Sequence, residues 1–142
     1  SIPTTNELLL LFRGITGGGA AGNHCRLRPN SDGGANYDTI LHYGSQPTTS
    51  AAQLMATNGL PMFTDMSGAM INATHRLIKQ GDYWLQDGSF AAWASLASAG
   101  IVGQLAGLWY SGGSAIATLQ FRFDIDNALA NFTGRIEVWY QN

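Results

Sequence analysis

Leu27-Arg-Pro-Asn-Ser-Asp-Gly-Gly-Ala-Asn-Tyr-Asp38 lies between two runs that alternate as β-strands do, His24–Pro29 and Tyr37–Gly44. Its middle concentrates Asn, Ser, Asp and Gly, the residues that turn a chain sharply. Asn30, Asp32 and Asn36 can bond their side chains back onto neighbouring amides, and Gly33 and Gly34 can take positive φ at little cost. Tyr37 then returns to the apolar pattern. The stretch reads as a strand, a polar corner and a returning strand. Asn30, Asp32, Gly33, Gly34, Asn36 and Tyr37 are its structural turn residues, with no catalytic group at the centre.

Outward from this corner, strand signals recur with polar punctuation. Glu7–Arg13 is apolar at nearly every position, as expected of a strand covered on both faces. The clearest alternation sets Leu119, Phe121, Phe123 and Ile125 on one face against Gln120, Arg122, Asp124 and Asp126 on the other, within a run from Ile116 to Ile125. Ile71–Lys79, Tyr83–Gln86, Phe90–Ser98, Gln104–Tyr110 and Arg135–Gln141 complete the expected strands. Phe90–Ala99 also admits a helix, since Ala and Leu favour one, but the glycines on both sides favour a strand. Ser45–Ala52 is polar and loop-like, and Leu54–Gly68 is irregular, with Gly59 and Pro61 breaking any helix. Eight or nine strands separated by frequent turn signals predict an all-β, antiparallel β-sandwich or jelly-roll-like single domain over residues 1–142.

Two parts of this pattern resemble a known family. Arg26-Leu-Arg28 followed by Asn30-Ser-Asp-Gly-Gly-Ala-Asn-Tyr37 is similar to a recurring module of small virion proteins of tailed bacteriophages. In that module an early strand ends in an Asn-rich turn, and the last strand closes on a glycine followed by alternating apolar residues. Gly134-Arg-Ile-Glu-Val-Trp-Tyr140, preceded by Phe132, stands in the closing position. Pro29 departs from the pattern, which has an aromatic or aliphatic residue there. Such modules serve as head decorations, fibres and tail parts, so the resemblance implies a virion structural protein without implying its place on the particle.

Composition narrows the function classes. Among 142 residues only 11% are charged, against an apolar share of 45%, where soluble domains carry about a quarter charged residues. Lys79 is the single lysine. Low charge with abundant Gly, Ala, Ser and Thr suggests a surface that meets other protein; the plainer alternative is a neutral, hydroxyl-coated soluble domain. No apolar run approaches the roughly 20 residues of a spanning helix, so no membrane partner is expected. A net charge of -2, with arginines spread singly apart from Arg26 and Arg28, argues against nucleic acid. Cys25, the only cysteine, is expected to be a small apolar filler, and the fold then needs no oxidation. Leu8–Phe12 is too short and lacks the basic leader of a secretory signal. Assembly in the reducing cytoplasm of a host bacterium follows, and Ser1 suits removal of an initiator Met.

Several motifs with chemical meaning carry little of it here. Gly17–Gly22 fits G-x-G-x-x-G, and Asp38 lies near the spacing of a ribose-binding acid. The chain nevertheless enters a strand rather than the helix that would hold a pyrophosphate. His24, His42 and His75 show no local ligand spacing, although His24 and His42 are candidates to meet on paired strands. A Ca²⁺ ion held by Asn30, Asp32 and Asp38 is the minor alternative to a hydrogen-bonded corner. No Gly-x-Ser-x-Gly elbow exists. Asp124 and Asp126 stand about 7 Å apart, as on any solvated strand. Asn72-Ala-Thr and Asn131-Phe-Thr have meaning only in a secreted chain. Neither catalytic residue, cofactor nor metal is expected.

Trp139 is different. In the last strand Ile136, Val138 and Tyr140 share one face, which puts Trp139 on the polar face with Arg135, Glu137 and Gln141. It anchors a neighbouring subunit, stacks on a glycan, or is covered by another loop of the chain. Trp84, Trp93 and Trp109 are expected in the core. The composite expectation is a non-enzymatic virion protein, a homotrimer on the particle surface bound to other virion proteins such as the major capsid protein, in a decoration or cement role. The alternative is a tail or fibre protein that binds a host glycan.

Overall fold

The computed structural model describes residues 2–16, 24–45, 51–54, 58–64, 69–93, 100–123 and 133–141. These form ten strands in two antiparallel sheets, with no helix among them: β1 (Glu7–Thr16), β2 (His24–Pro29), β3 (Tyr37–Ser45), β4 (Ala51–Leu54), β5 (Leu60–Thr64), β6 (Met70–Gln80), β7 (Tyr83–Trp93), β8 (Ile101–Tyr110), β9 (Leu119–Phe123) and β10 (Thr133–Gln141). The all-β, antiparallel, sandwich-like class expected from the sequence is the class observed. The layers are unequal. Seven strands run in the order β10-β1-β6-β7-β8-β3-β4, and three in the order β5-β2-β9.

The core lies between the small sheet and the inner face of the large one. Leu8, Leu10 and Phe12 of β1 point into it, as do Ile71 and Leu77 of β6 and Trp84 of β7. Phe12 joins the layers, meeting Phe63 of β5 and Phe121 of β9 edge-on at 5.5 Å each, a geometry that aromatic quadrupoles favour. Glu7–Arg13 is therefore buried on one face, not two. Leu9 and Leu11 are only half-buried on the opposite face, because no described strand covers the outside of the large sheet.

Tertiary contacts also revise several strand limits. Tyr83–Gln86 and Phe90–Trp93 belong to one strand, β7, which runs unbroken through Gly88, while residues 94–98 of the expected Phe90–Ser98 strand lie outside the described residues. Opposite Gly88 stands His75, and a Cβ at Gly88 would lie 2.0 Å from the imidazole Nδ1. Gly103 likewise faces Phe90 and Gly107 faces Gln86; a Cβ would come within 2.2 Å of the Phe90 ring and 2.5 Å of Gln86 Oε1. Three inner-face glycines thus make room for three large neighbours; two of them, Gly88 and Gly103, lie where the sequence suggests a strand limit, and Gly107 lies within an expected strand.

The segments expected to be loop and irregular chain contain β4 and β5. Pro61 is tolerated because β5 is an edge strand and the β2–β5 register shifts beside it, between Cys25 and Arg26. The Ile116–Ile125 strand is described as β9, Leu119–Phe123, while Ile116 is buried outside it. Trp84 and Trp109 are buried as expected, but Trp93 is 36% exposed; it sits on the outer face, opposite Met70.

Candidate functional site

The corner does not close a hairpin. β2 pairs with β5 and β9, whereas β3 pairs with β8 and β4, so the chain crosses between layers there. The left-handed residues are Asn30 (φ 53°) and Ser31 (φ 58°), not Gly33 or Gly34. With Asp32 N–H donating to the Pro29 carbonyl at 3.0 Å, positive φ at both central positions marks a type I′ turn. Asn tolerates this conformation because its short polar side chain finds local partners. Asn30 donates from Nδ2 to the Ala115 carbonyl at 2.8 Å, and its Oδ1 accepts from Ala117 N–H at 2.7 Å.

Asp32 ties the rest of the corner together. Its carboxylate accepts from Gly34 N–H at 2.8 Å, Asn36 Nδ2 at 3.1 Å and Trp109 Nε1 at 2.8 Å. The Tyr37 hydroxyl donates to the Asp32 carbonyl at 2.8 Å, and the Tyr37 ring stacks on Trp109. Partial burial pushes the Asp32 pKa up, but the three donors outweigh it and hold the carboxyl below its ordinary range. Burial and the nearby carboxylate push the Tyr37 phenol upward. Both oxygens that a Ca²⁺ ion would need are engaged by the protein's own donors. Asp38 is exposed on the outer face.

His42 and His75 do not gather. His42 is exposed on the outer face of the large sheet, and His75 is fully buried beneath the inner one. Among the described residues no group of three His, Cys, Asp or Glu side chains is placed to hold a metal. The side chain of His24 lies outside the described residues, as do Gly17–Gly22, Asp124, Asp126, Asn131 and Phe132. Asn72, of the other glycosylation-type triplet, accepts from Gly14 N–H at 2.7 Å.

His75 instead belongs to a buried clamp that the sequence did not signal. His75 Nε2 lies 2.6 Å from the Met62 carbonyl, and Gln86 Nε2 lies 3.1 Å from His75 Nδ1 and 2.5 Å from the Pro61 carbonyl. A carbonyl can only accept, so the imidazole carries its proton on Nε2 and receives the Gln86 amide at Nδ1. Two side chains of the large sheet thereby satisfy carbonyls on the edge strand β5. Gln86 Oε1 is left buried without a partner; turning the amide over would aim that oxygen at the Pro61 carbonyl. Desolvation lowers the His75 pKa to about 4, against a smaller opposite push from the Met62 carbonyl. This imidazole is neutral and structural.

Arg135, Glu137 and Trp139 are brought together on β10, the edge strand beside β1. Arg135 Nε lies 3.1 Å from Glu137 Oε1, and Trp139 Nε1 donates to Glu137 Oε2 at 3.2 Å. Arg13 of β1, absent from the sequence-based site, adds a second guanidinium 3.3 Å from Glu137 Oε1. Trp139 is 60% exposed, so no described residue covers it. The other face of β10 is open as well. Ile136, Val138 and Tyr140 pair with Phe12, Leu10 and Leu8 and so point the way the core does, yet they are 39%, 37% and 53% exposed. The three-stranded layer does not cover this edge.

A trough of about 890 Å³ crosses the outer face of the large sheet at right angles to five strands. One wall is the in-register row Leu11, Thr74, Ser89, Gln104 and His42. The other is formed by Arg13, Asn72, Ala91, Val102 and Gly44, and the backbone between the rows makes the floor. No family model, curated protein or solved structure matches this chain.

Proposed function

We propose that this chain is a non-enzymatic structural protein of a tailed-bacteriophage virion. It assembles with copies of itself, and with other virion proteins such as the major capsid protein, in a decoration or cement role on the particle surface. The observation that carries this reading is β10, an edge strand whose large apolar side chains are open to solvent on both faces. Sheet edges are normally blunted by lysine, proline or inward charge. β10 has no lysine and no proline, and its charges, Arg135 and Glu137, are paired with each other. Such an edge is stabilised by covering it. The turn and closing-strand resemblance and the low charge content support the same reading. Asp32 and His75, whose protonation equilibria are shifted, are engaged in hydrogen bonds within the fold, which is consistent with a non-enzymatic reading.

Sedimentation of the purified protein at micromolar concentration, alone and with capsids, tests the proposal. A trimer, or capsid-dependent association, is expected; a species of 15.1 kDa under both conditions would refute it. The second reading is adhesion to a host glycan in a tail or fibre. The open indole of Trp139, with Arg135 and Glu137 beside it, is the observation in its favour. Under that reading Trp139→Ala abolishes adsorption to cells and leaves assembly intact.

A further inference from the structure

We infer that the trough across the outer face of the large sheet binds a neutral, hydroxyl-rich ligand, a short stretch of polysaccharide lying across the strands. Trp139 is not in the trough's lining, although Arg13, which lines it, pairs with the Glu137 that Trp139 bonds; the inference is independent of the assembly reading.

The case rests on what the trough offers. Thr74, Ser89, Gln104 and His42 stand on four adjacent strands, each opposite the next. Strand spacing of about 4.8 Å makes this a straight row roughly 14 Å long. All four are exposed, and none is among the described residues that have a further hydrogen bond or ion pair. Hydroxyl and amide groups both donate and accept, as sugar hydroxyls do. A row of such groups at regular intervals matches a chain of repeating polyols.

The opposite wall supplies the complementary surface. Ala91, Val102 and Gly44 present small apolar groups, against which the C–H faces of sugar rings pack. Formal charge is nearly absent. Arg13 is the only Lys, Arg, Asp or Glu in the lining, and its guanidinium is paired with Glu137. A strongly acidic or basic ligand would therefore leave its charge without a partner. The volume suits more than one sugar unit, since pockets for small molecules span about 300–1,000 Å³. Small residues, Thr74, Ser89, Ala91 and Gly44, occupy part of both rows, while Arg76 and Ile40 stand two residues from them on one side and Trp93 on the other.

The test is binding of the intact protein to an immobilised panel of neutral oligosaccharides, with uronic-acid oligosaccharides of equal length alongside. Saturable binding to one or more neutral members is expected. Thr74→Ala combined with Gln104→Ala should weaken it at least tenfold, and Ala91→Trp, which fills the trough, should abolish it. Trp139→Ala should leave it unchanged. Thermal melting and sedimentation of each variant show whether fold and assembly are intact. Absence of neutral binding, a preference for the uronic acids, or binding indifferent to the trough variants overturns the inference. So does loss of self-association in Ala91→Trp without glycan binding, which would make the trough a subunit contact. Binding lost in Trp139→Ala alone would move the sugar site to β10.

Discussion

His75 is a titratable side chain placed where it cannot easily titrate. Its folded pKa lies at about 4, below the roughly 6.5 of an unfolded chain. Protons therefore bind the unfolded state first as pH falls. The resulting stability is fully present above about pH 6.5 and is lost progressively toward pH 4. Chemical denaturation at about pH 7 and about pH 4.5 should show a loss of about 2–3 kcal/mol from this group. His75→Leu should be less stable at neutral pH, because the Met62 carbonyl and Gln86 lose their partner, and should show a correspondingly smaller pH dependence. Equal pH dependence in the two proteins would refute the buried neutral imidazole. At the same place Gly88→Ala sets a methyl against the ring, and a loss of about 2 kcal/mol or more is expected in the same assay.

The corner is the element where side-chain chemistry and backbone geometry meet. Ser31 holds a left-handed conformation that costs a non-glycine residue about 1–2 kcal/mol. Ser31→Gly should therefore raise the melting temperature and Ser31→Val should lower it. Asn30→Ala should cost about 2 kcal/mol or more, since it removes bonds to Ala115 and Ala117 and keeps the strained φ. Gly34→Val should also destabilise, but by crowding: its Cβ would lie 3.1 Å from both Asp32 Oδ1 and Asn36 Nδ2. If Gly34→Val melts as the wild type does while Ser31→Gly gains nothing, the turn geometry described here is wrong. The polar composition announced a corner. Which residue takes positive φ was not legible, because intrinsic preference favours glycine and the bonds to residues 115–118 decide for Asn30.

For the whole molecule, the unequal layers leave the outside of the large sheet and its β10 edge uncovered by any described strand. Trp139→Ala should weaken self-association or capsid binding by about 2 kcal/mol or more if the indole anchors a subunit. Quantitative sedimentation measures this, and thermal melting should change little because the ring lies outside the core. Val138→Lys, which places a charge on the exposed edge, should have the same effect through a mechanism that proteins use to prevent edge pairing. Association unaffected by both substitutions would leave β10 without the role proposed for it.

Alternation along the chain was sufficient to determine the all-β class, most strand positions and the side of β10 on which Trp139 falls, because the two-residue period of a strand is a local property. The buried places of Trp84 and Trp109, on apolar faces, were legible in the same way. Pairing is not local. That β2 and β3 enter different sheets, that β7 runs through Gly88, and that β4 and β5 form within polar or irregular sequence were decided by partners distant in the chain. Whether an apolar residue is covered depends on the size of the opposing layer. Three strands facing seven leave Val138 and Tyr140 exposed, although they point the way the core does. The trough and the His75–Gln86 clamp each join residues from separate strands, and only their registers bring those residues together.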